Sequence, residues 1–572
     1  MTPNLRKLSY IFISAALLYL VIGVVLLVIF GPIKTDIIGV GFSHTSMTKP
    51  AKVCLILLLI GVFFRLRYSY QQRAGSLKKS LVLRRLILIA LIWALLFTAF
   101  SLLLHYTYRS GTLDMAVHSQ LLWNLTEGNF LQSSFVGYSF AANHLWLGLY
   151  LFIPIFLIGG EYALLVSEVI IIALGVFPVY FLTRDILKNH RWALSFALAY
   201  LLYPTLSMGV LFEFHLETIT VPVIFTALLC LKRRRFLWFS LLVLLSIFLY
   251  EVTAVIFVFL GLALLFKPRF RLSGLILALI SGVYLFIIMR MVMPYFGGEG
   301  YFPHWHHYSH LGSNPLEAFL TVLHHPLKII TESIKETRDI KNLLWNFQAV
   351  GFFPLLAPLY LIPAIPLTVS LFLSNWESQM DIRYSYIAPA IPFLFLAAIY
   401  GVRRIFSFPI GIGRWFRNYG MLLLLLSSGL LFIDFQLEYQ IRGFPFPLRK
   451  NLDQIYAAAS LIPLDASLSA DLYLGSHFGR REIILLFPVT RYKKRPAEYI
   501  FLDLDEKVGK DKSYWSKTKA LLKSDGWSPL YFSSGILLLK RGGEDNPDLN
   551  VAAEKYLYNI MRERAEQNAG TN

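Results

Sequence analysis

A short polar stretch carries the side chains best suited to chemistry. The run GTLDMAVHSQLLWN (111–124) contains Asp114, His118, Gln120 and Trp123. Asp114 and His118 are four residues apart, so a helix would place them on one face. A carboxylate can take a proton from a hydroxyl, and a neighbouring histidine can relay that proton or act as a ligand. We therefore predict Asp114 and His118 as catalytic residues. Gln120 and Trp123 are predicted to bind substrate.

Further polar residues with suitable chemistry stand in gaps between apolar runs. We predict that they bind substrate in the same cavity as Asp114: His144, Glu213, His215, Glu251, Arg383, Tyr384 and Tyr386. The planar guanidinium of Arg383 suits a pair of anionic oxygens. The two tyrosines that follow it offer aromatic faces for stacking.

Several of these patterns leave a second interpretation open. Asp114 is also a favoured residue for capping the helix that follows it. The motif EFHLE (213–217) could bind a metal ion or could be a solvated helix end. In the first case the candidate ligands for a divalent cation such as Mg²⁺ or Mn²⁺ are Asp114, Glu213 and His215. The histidines between 304 and 310 could bind a metal ion or could lie in a solvent-exposed loop. The motif DIRYSY (381–386) could also anchor the chain at the membrane interface, where Arg and Tyr are common.

The rest of the chain predicts a polytopic α-helical membrane protein. Hydrophobic residues make up 56% of the 572 residues, and the mean hydropathy is +0.60. Apolar runs long enough to cross about 30 Å of hydrocarbon recur along the chain. We predict about 13 transmembrane helices, near residues 9–30, 51–65, 84–104, 162–183, 192–210, 218–231, 236–250, 252–266, 272–293, 347–361, 362–374, 386–402 and 419–434.

The basic residues predict the orientation of these helices. The net charge is +19, but the lysines and arginines are spread over the gaps between spans, so no nucleic-acid partner is expected. The positive-inside rule then places the N-terminus in the cytoplasm of a multi-pass inner-membrane protein. If 144–159 crossed the membrane, the basic cluster at 184–191 would lie outside the cell, against this rule. We therefore predict 144–159 as an interfacial helix, so that 106–161 forms one external region.

Composition divides the chain into four parts. Residues 1–80 hold two extra N-terminal spans and a basic cytoplasmic loop, residues 81–435 form the transmembrane core, and residues 546–572 form a tail. Residues 436–545 alternate short apolar runs with polar helical stretches, which is typical of a small α/β domain. We expect this domain outside the cell, with strands near 467–470, 483–487, 499–504, 530–532 and 535–540.

From about residue 84 to residue 505, the motifs resemble a known family. They are LDMAVHSQLLWN (113–124), Asn143-His144 with Pro154, EFHLE, Glu251, RYSYIAPAIPF (383–393) and IPLDASLSADLYLGSHFGRRE (462–482). Together they resemble the prokaryotic membrane-protein family catalogued as domain of unknown function 2079. That family is similar to the lipid-linked glycosyltransferases of the GT-C superfamily. The chain departs from its pattern where Ser119, Tyr250 and Val252 stand in place of charged residues.

The resemblance implies a GT-C-like membrane core and a specific activity. A sugar would move from a polyprenyl-phosphate donor in the membrane lipid to an acceptor of unknown kind at the outer leaflet. Asp114 would then deprotonate the acceptor hydroxyl or hold a cation. Arg383 would be the phosphate clamp, and Tyr384 and Tyr386 would stack on the sugar or on the prenyl chain. Two alternatives stay open at this point. One is a non-catalytic scaffold of envelope assembly, favoured by the missing acid at Ser119, and the other is a lipid or solute transporter.

Overall fold

We describe the fold from a computed structural model of the chain. The structure describes residues 2–30, 33–37, 40–44, 48–71, 79–298, 304–325, 327, 329, 337–436, 449–506, 511–544 and 546–569. The protein is mostly helical. In the membrane core and its connections the helices run Thr2–Phe30, Thr48–Gln71, Lys79–Tyr106, Val117–Thr126, Ile153–Leu174, Val176–Leu187, His190–Leu201, Pro204–Phe212, Leu216–Lys232, Phe236–Leu249, Thr253–Leu265, Arg271–Ile287, Met293–Gly297, Pro315–His324, Thr337–Gln348, Ile365–Leu373, Ile391–Ile405, Ile410–Tyr419 and Met421–Ile433.

Six helical segments in the described part of the chain are long and apolar enough to cross a membrane. They are Asn4–Val21, Ser80–Tyr106, Leu147–Leu187, His190–Phe212, Pro268–Gly297 and Ser385–Ile405. A seventh results if Gly411–Tyr419 and Met421–Gln436, which are bent by 46° against each other, count as one span. By these criteria of length and composition, fewer segments qualify than the 13 that the sequence predicts, because many core helices are short.

The helix Lys79–Tyr106 shows why such segments suit a membrane. One stripe is buried against the bundle and the other is exposed, although both stripes are apolar. The buried stripe includes Leu86, Ala90, Trp93 and Phe97. The exposed stripe includes Leu88, Leu91 and Leu95. An exposed apolar stripe of this length is costly in water but matches hydrocarbon, so the helix fits a lipid-facing position at the edge of the bundle.

Prolines break one of the predicted spans. The sequence predicts a transmembrane helix over 347–361, and this prediction is wrong. The helix Thr337–Gln348 ends there, and the chain continues as the 3₁₀ turns Phe353–Leu356 and Pro358–Leu361. Each turn has a proline in its first two positions, where the missing N–H is tolerated. Another proline follows each turn, and it prevents the turn from continuing as an α-helix. Irregular backbone at this depth has to be buried in protein or line a cavity.

A kinked helix follows the first polar loop. A 3₁₀ turn, Leu147–Phe152, leads into Ile153–Leu174, whose backbone departs from helical geometry at Gly159 and Gly160. Gly160 has a φ of 60°, which a glycine adopts at little cost. The kink falls at the end of the segment predicted as an interfacial helix, 144–159. It separates a short arm with highly exposed Leu157 and Ile158 from the longer buried part of the helix.

The C-terminal part contains a mixed five-stranded sheet. Two further hairpins complete the strand inventory of the described residues. In chain order the strands are β1 (Ile33–Ile37), β2 (Val40–His44), β3 (Leu468–Ala470), β4 (Ile484–Leu486), β5 (Arg491–Tyr492), β6 (Arg495–Pro496), β7 (Tyr499–Asp503), β8 (Trp527–Ser533) and β9 (Ile536–Arg541). The sheet order is β4-β3-β7-β9-β8, with β3 parallel to β4 and β7 and the last two strands antiparallel. The helices Leu452–Ala459, Lys512–Leu522 and Pro547–Ala569 belong to the same part.

The predicted strands of this region are confirmed by β3, β4, β7, β8 and β9. Alternating or continuous apolar residues in short runs between turn residues give a signal that depends on local sequence alone. The side chains of β7 are buried along its whole length because helices or loops cover both faces of the sheet. The N-terminal hairpin of β1 and β2 was not predicted.

Candidate active site around Asp114

The loop that carries Asp114 is held at both ends by distant parts of the chain. It forms a single π-helical turn, Thr112–Ala116, before the helix Val117–Thr126. The Thr112 hydroxyl donates to the carbonyl oxygen of Asp471 at 3.0 Å, so the C-terminal sheet region anchors the turn. On the other side, the Gly111 N–H donates to Glu213 Oε1 at 2.5 Å. No side chain caps either helical segment, so the capping interpretation of Asp114 does not describe its position.

The Asp114 carboxylate is surrounded by protein but not closed off. Its side chain keeps 41% of its surface exposed, and its Oδ1 lies 3.9 Å from Nε2 of His215. Burial raises the pKa of Asp114 above its usual range, and the nearby His215 acts in the opposite direction. An accessible carboxylate with a raised pKa is suited to accept a proton from a bound hydroxyl.

His118 contacts the backbone of Asp114 and not its carboxylate. Its Nδ1–H donates to the Asp114 carbonyl oxygen at 2.8 Å. The ring stacks on Trp146 with centroids 4.7 Å apart and meets Phe214 edge-on. Burial lowers the pKa of His118 to about 3, so the imidazole is neutral near pH 7. Its other nitrogen, Nε2, is buried without a hydrogen-bond partner among the described residues.

The EFHLE motif lies in the break between two helices and faces Asp114. Glu213 follows the helix Pro204–Phe212 with a φ of 141°, a conformation that costs a non-glycine residue about 1–3 kcal/mol. Burial, and then the charge of Asp114, raise the pKa of Glu213 well above its usual range. His215 Nδ1 lies 3.3 Å from the Glu213 carbonyl oxygen, which leaves Nε2 to face Asp114. The structure therefore brings Asp114, Glu213 and His215 together.

The sequence analysis missed Glu168, which lies beside this motif. Glu168 is fully buried in the helix Ile153–Leu174. Its Oε1 accepts a hydrogen bond from the Thr218 hydroxyl at 2.5 Å, and its Oε2 accepts one from the His215 N–H at 3.4 Å. The sequence did contain a signal for Glu168, because it is the single acid in the apolar run ALLVSEVIIIAL. Placing an ionisable residue in a membrane helix costs free energy, so such residues usually have a function.

Glu161 is a second acid that the sequence analysis missed. It accepts a hydrogen bond from the Ser119 hydroxyl, and Arg480 Nε lies 3.8 Å from its other oxygen. Ser119 is the position where the family resemblance led us to expect a second acid in the first loop. A carboxylate from another helix therefore reaches the place where the loop itself lacks one.

His144 and Glu251 form a buried pair next to the Asp114 region. His144 Nδ1 lies 2.7 Å from Glu251 Oε1, and Glu251 is almost fully buried. Burial alone would lower the pKa of His144, but the charges of Glu251 and Glu217 and the hydrogen bond raise it overall. Trp146 lies between His144 and His118, with nearly parallel rings on both sides. This aromatic stack connects the pair to the Asp114 loop.

Of the predicted residues in DIRYSY, Tyr384 and Tyr386 lie near the Asp114 region, and Arg383 is paired with Asp381. Tyr384 meets Phe212 edge-on at 5.3 Å, and Phe212 stacks on His215. Tyr386 is close enough to Asp114 and Glu217 to interact with their charges. Arg383 Nε lies 2.9 Å and 3.0 Å from the two carboxylate oxygens of Asp381. The predicted phosphate clamp is therefore already paired with an acid of its own motif.

Gln120 and Trp123 hold the loop in place within the protein. The Gln120 amide nitrogen, with two hydrogens to donate, lies within 3.1 Å of three acceptors: Ser134 Oγ and the carbonyl oxygens of Arg481 and Glu482. Its amide oxygen accepts from the Ser134 N–H at 3.0 Å. Trp123 packs against the apolar cluster under the loop. These contacts give both residues a structural role, and their predicted substrate contacts stay a prediction.

The described residues include no group of three or more His, Cys, Asp or Glu side chains placed to hold one metal ion. Asp114 and His215 are neighbours, but the 3.9 Å between them fits a charged contact. The histidines near 304 stack on each other and on Trp376, as in the contact of His307 with Trp376 at 4.9 Å. A protein-held divalent cation would need further oxygen ligands from a substrate.

Comparisons with known proteins relate the chain to a family and to a solved structure. The family described as "Predicted membrane protein (DUF2079)" matches residues 104–538. The crystal structure of ArnT from Cupriavidus metallidurans in the apo state is similar with a TM-score of 0.43 and 12% sequence identity, covering 79% of this chain and 98% of that one. No curated protein matches the chain.

Proposed function

The chain belongs to this family of predicted membrane proteins, and we propose that it is a membrane glycosyltransferase. It moves a sugar from a polyprenyl-phosphate donor to an acceptor hydroxyl at the outer leaflet. The observation that carries the proposal is the Asp114 carboxylate, which is 41% exposed, has a raised pKa and lies 3.9 Å from His215. The family that the motifs resemble is itself similar to the lipid-linked glycosyltransferases, and this similarity supplies the reaction class as an analogy.

The position of the site in the bundle supports the outer leaflet. Helix Leu216–Lys232 has Glu217 in its first turn and is followed by three arginines, Arg233 to Arg235. Glu251 and Asp114 also lie at helix ends, in gaps that carry acids and few cations. Because positive residues favour the cytoplasmic side, the acid-bearing ends belong on the opposite side.

Asp114 acts as the general base of the proposed reaction. Its carboxylate takes the proton of the acceptor hydroxyl while the oxygen forms a bond to the anomeric carbon of the sugar. The bond between that carbon and the phosphate oxygen breaks, and the electron pair leaves with the polyprenyl phosphate. His215 Nε2 positions the carboxylate, and neutral His118 fixes the turn through the Asp114 carbonyl.

Arg383 is the proposed partner of the leaving phosphate. Its side chain is 35% exposed and is paired with Asp381, so a phosphate can approach it from the exposed side. Asp381 keeps the guanidinium fork in one orientation before the donor arrives. Tyr384 contacts Phe212, and Tyr386 is close enough to Asp114 to interact with its charge. These contacts support a role for both tyrosines in binding the sugar or the first prenyl units.

The test is transfer by the full chain in lipid nanodiscs, with polyprenyl-phosphate sugars as donors. We expect turnover with one of the donors and a loss of about 10²–10⁴-fold in Asp114→Asn, the range for removing a general base. Glu127→Gln is the matched control, since Glu127 is an exposed acid of the same loop region. Equal rates in Asp114→Asn and the native chain refute the assignment of the base.

A transporter is the second candidate, and Glu168 is the observation that favours it. A buried acid in a membrane helix, bonded to Thr218 and to the His215 N–H, is a typical element of a proton pathway. A transporter would move a labelled lipid or solute across proteoliposomes in response to a pH gradient. Glu168→Gln would abolish that movement, while a glycosyltransferase shows no such gradient dependence.

A further inference from the structure

A second polar cluster lies behind Trp146, on the side away from His118. His144 is paired with Glu251 at 2.7 Å, its ring is 5.1 Å from Trp146, and the His304 ring is 5.4 Å away. Glu217 is close enough to His144 and Glu251 to interact with both charges. These residues come from separate segments of the chain, so only the folded protein assembles the cluster.

The cluster holds an unusual number of unsatisfied polar atoms. Five of its atoms are buried and lack a hydrogen-bond partner among the described residues: Trp146 Nε1, Glu217 Oε2, Glu251 Oε2, Tyr284 Oη and His304 Nε2. Tyr284 belongs to it because it interacts with the charge of Glu251. Proteins rarely leave buried polar groups unpaired, since each costs about 1–3 kcal/mol. Such a concentration in one place points to a ligand.

The types of these atoms select the chemistry of that ligand. The indole N–H only donates and the two carboxylate oxygens accept, whereas the tyrosine hydroxyl does both and His304 Nε2 does one or the other according to its tautomer. An ammonium group only donates, so it would leave the indole N–H unpaired, and a phosphate would be repelled by the carboxylates. A metal ion would need three converging ligands, which the described residues do not provide. Hydroxyl groups both donate and accept, so several hydroxyls on one small ring satisfy the whole set.

We propose that this cluster is the sugar subsite of the donor and binds the ring hydroxyls of the lipid-linked sugar. It comprises His144, Trp146, Glu217, Glu251, Tyr284 and His304. The inference rests on the proposed function and adds the part of the substrate that the cluster recognises. Its position is suitable, because Trp146 stacks on His118 and His118 is bonded to the Asp114 carbonyl. His144 keeps 20% of its side chain exposed, so an entering ligand can reach the edge of the cluster there.

The experiment compares the binding of sugar-bearing and sugar-free lipids to the full chain in nanodiscs. The probes are undecaprenyl phosphate alone and undecaprenyl phosphate carrying glucose, galactose, mannose or arabinose. We expect the native chain to bind at least one of the sugar-bearing lipids more tightly than the bare lipid. Glu217→Gln and Glu251→Gln should each weaken that preference by about ten-fold, the effect of one hydrogen bond to a charged group. Binding of the bare lipid should not change.

Three further variants make the outcome unambiguous. Trp146→Phe removes the indole N–H and keeps a ring, so it also tests the subsite if a glutamate variant fails to fold. Glu127→Gln should retain the native preference, because Glu127 is exposed and lies outside the cluster. Asp114→Asn should keep the sugar preference and lose transfer.

Each result decides between the two proposals. If no sugar in the panel binds more tightly than the bare lipid, or if the cluster variants keep the native preference, the subsite is refuted. If those variants keep the preference while the native chain transfers sugar, only the subsite fails. If the preference exists and depends on Glu217 but no transfer occurs, the subsite stands and the proposed function fails.

Discussion

Gln120→Met offers a test of how the Asp114 loop is held. The amide of Gln120 satisfies the Ser134 N–H and the carbonyl oxygens of Arg481 and Glu482, all buried or partly buried. Methionine has a similar length but no polar hydrogen and only a weak acceptor, so these three backbone groups lose their partner. At about 1 kcal/mol or more for each unsatisfied group, we expect a local cost of about 3 kcal/mol.

This cost corresponds to a more than hundred-fold larger population of the opened contact between the loop and the C-terminal sheet. Hydrogen–deuterium exchange measures that population through the amides of Ser134 and Ile484. The Ile484 N–H donates to Ser134 Oγ at 2.9 Å, so its protection depends on the same contact. We expect both amides to exchange about a hundred-fold faster in the variant.

Gln132→Met is the matched control, because Gln132 lies in the same loop but is exposed. It should leave the exchange of both amides unchanged. If Gln120→Met also leaves that exchange unchanged, the amide does not hold the loop and our reasoning is refuted. If exchange increases and transfer activity falls with it, the C-terminal sheet region positions the Asp114 turn for catalysis.

Two further predictions concern the state of the site. The base must be deprotonated to act, so transfer should fall as the pH decreases through the raised pKa of Asp114, at a higher pH than an ordinary aspartate would give. A rate that stays constant down to the pKa of a solvated aspartate contradicts this assignment. In the proposed reaction Asp114 acts as the base and Arg383 contacts the leaving phosphate, so no step needs a cation and transfer should persist in EDTA. A loss of transfer that added Mn²⁺ or Mg²⁺ restores would show that a cation takes part, with substrate oxygens as further ligands.

The sequence alone determined the features whose signal lies within a short stretch of residues. Apolar runs predicted membrane helices at 84–104 and 192–210, which lie within the observed segments Ser80–Tyr106 and His190–Phe212. Short apolar runs between turn residues predicted the strands observed as β3 and β7. The polar gaps also pointed to Asp114, Glu213 and His215, which the structure brings together. In each case the signal is either a hydrophobic pattern or a polar side chain that costs free energy among apolar segments.

The sequence was less informative where several weak signals compete. The run 347–361 is apolar enough for a span, but its prolines remove the hydrogen bonds that a helix needs, and the chain forms 3₁₀ turns. The number of spans depends on such cases, because several core helices are shorter than a bilayer is thick. Length and hydropathy alone cannot decide them.

The partners of the polar groups were decided only by the tertiary structure. Glu161 reaches Ser119 from another helix, Arg383 is paired with Asp381, and Gln120 is occupied by the C-terminal sheet region. The unsatisfied atoms around Trp146 also become visible only after folding. A residue's type fixes which hydrogen bonds and charges it can offer, so the sequence determined the candidate chemistry. Contacts between segments hundreds of residues apart decide which of these groups can still bind a substrate.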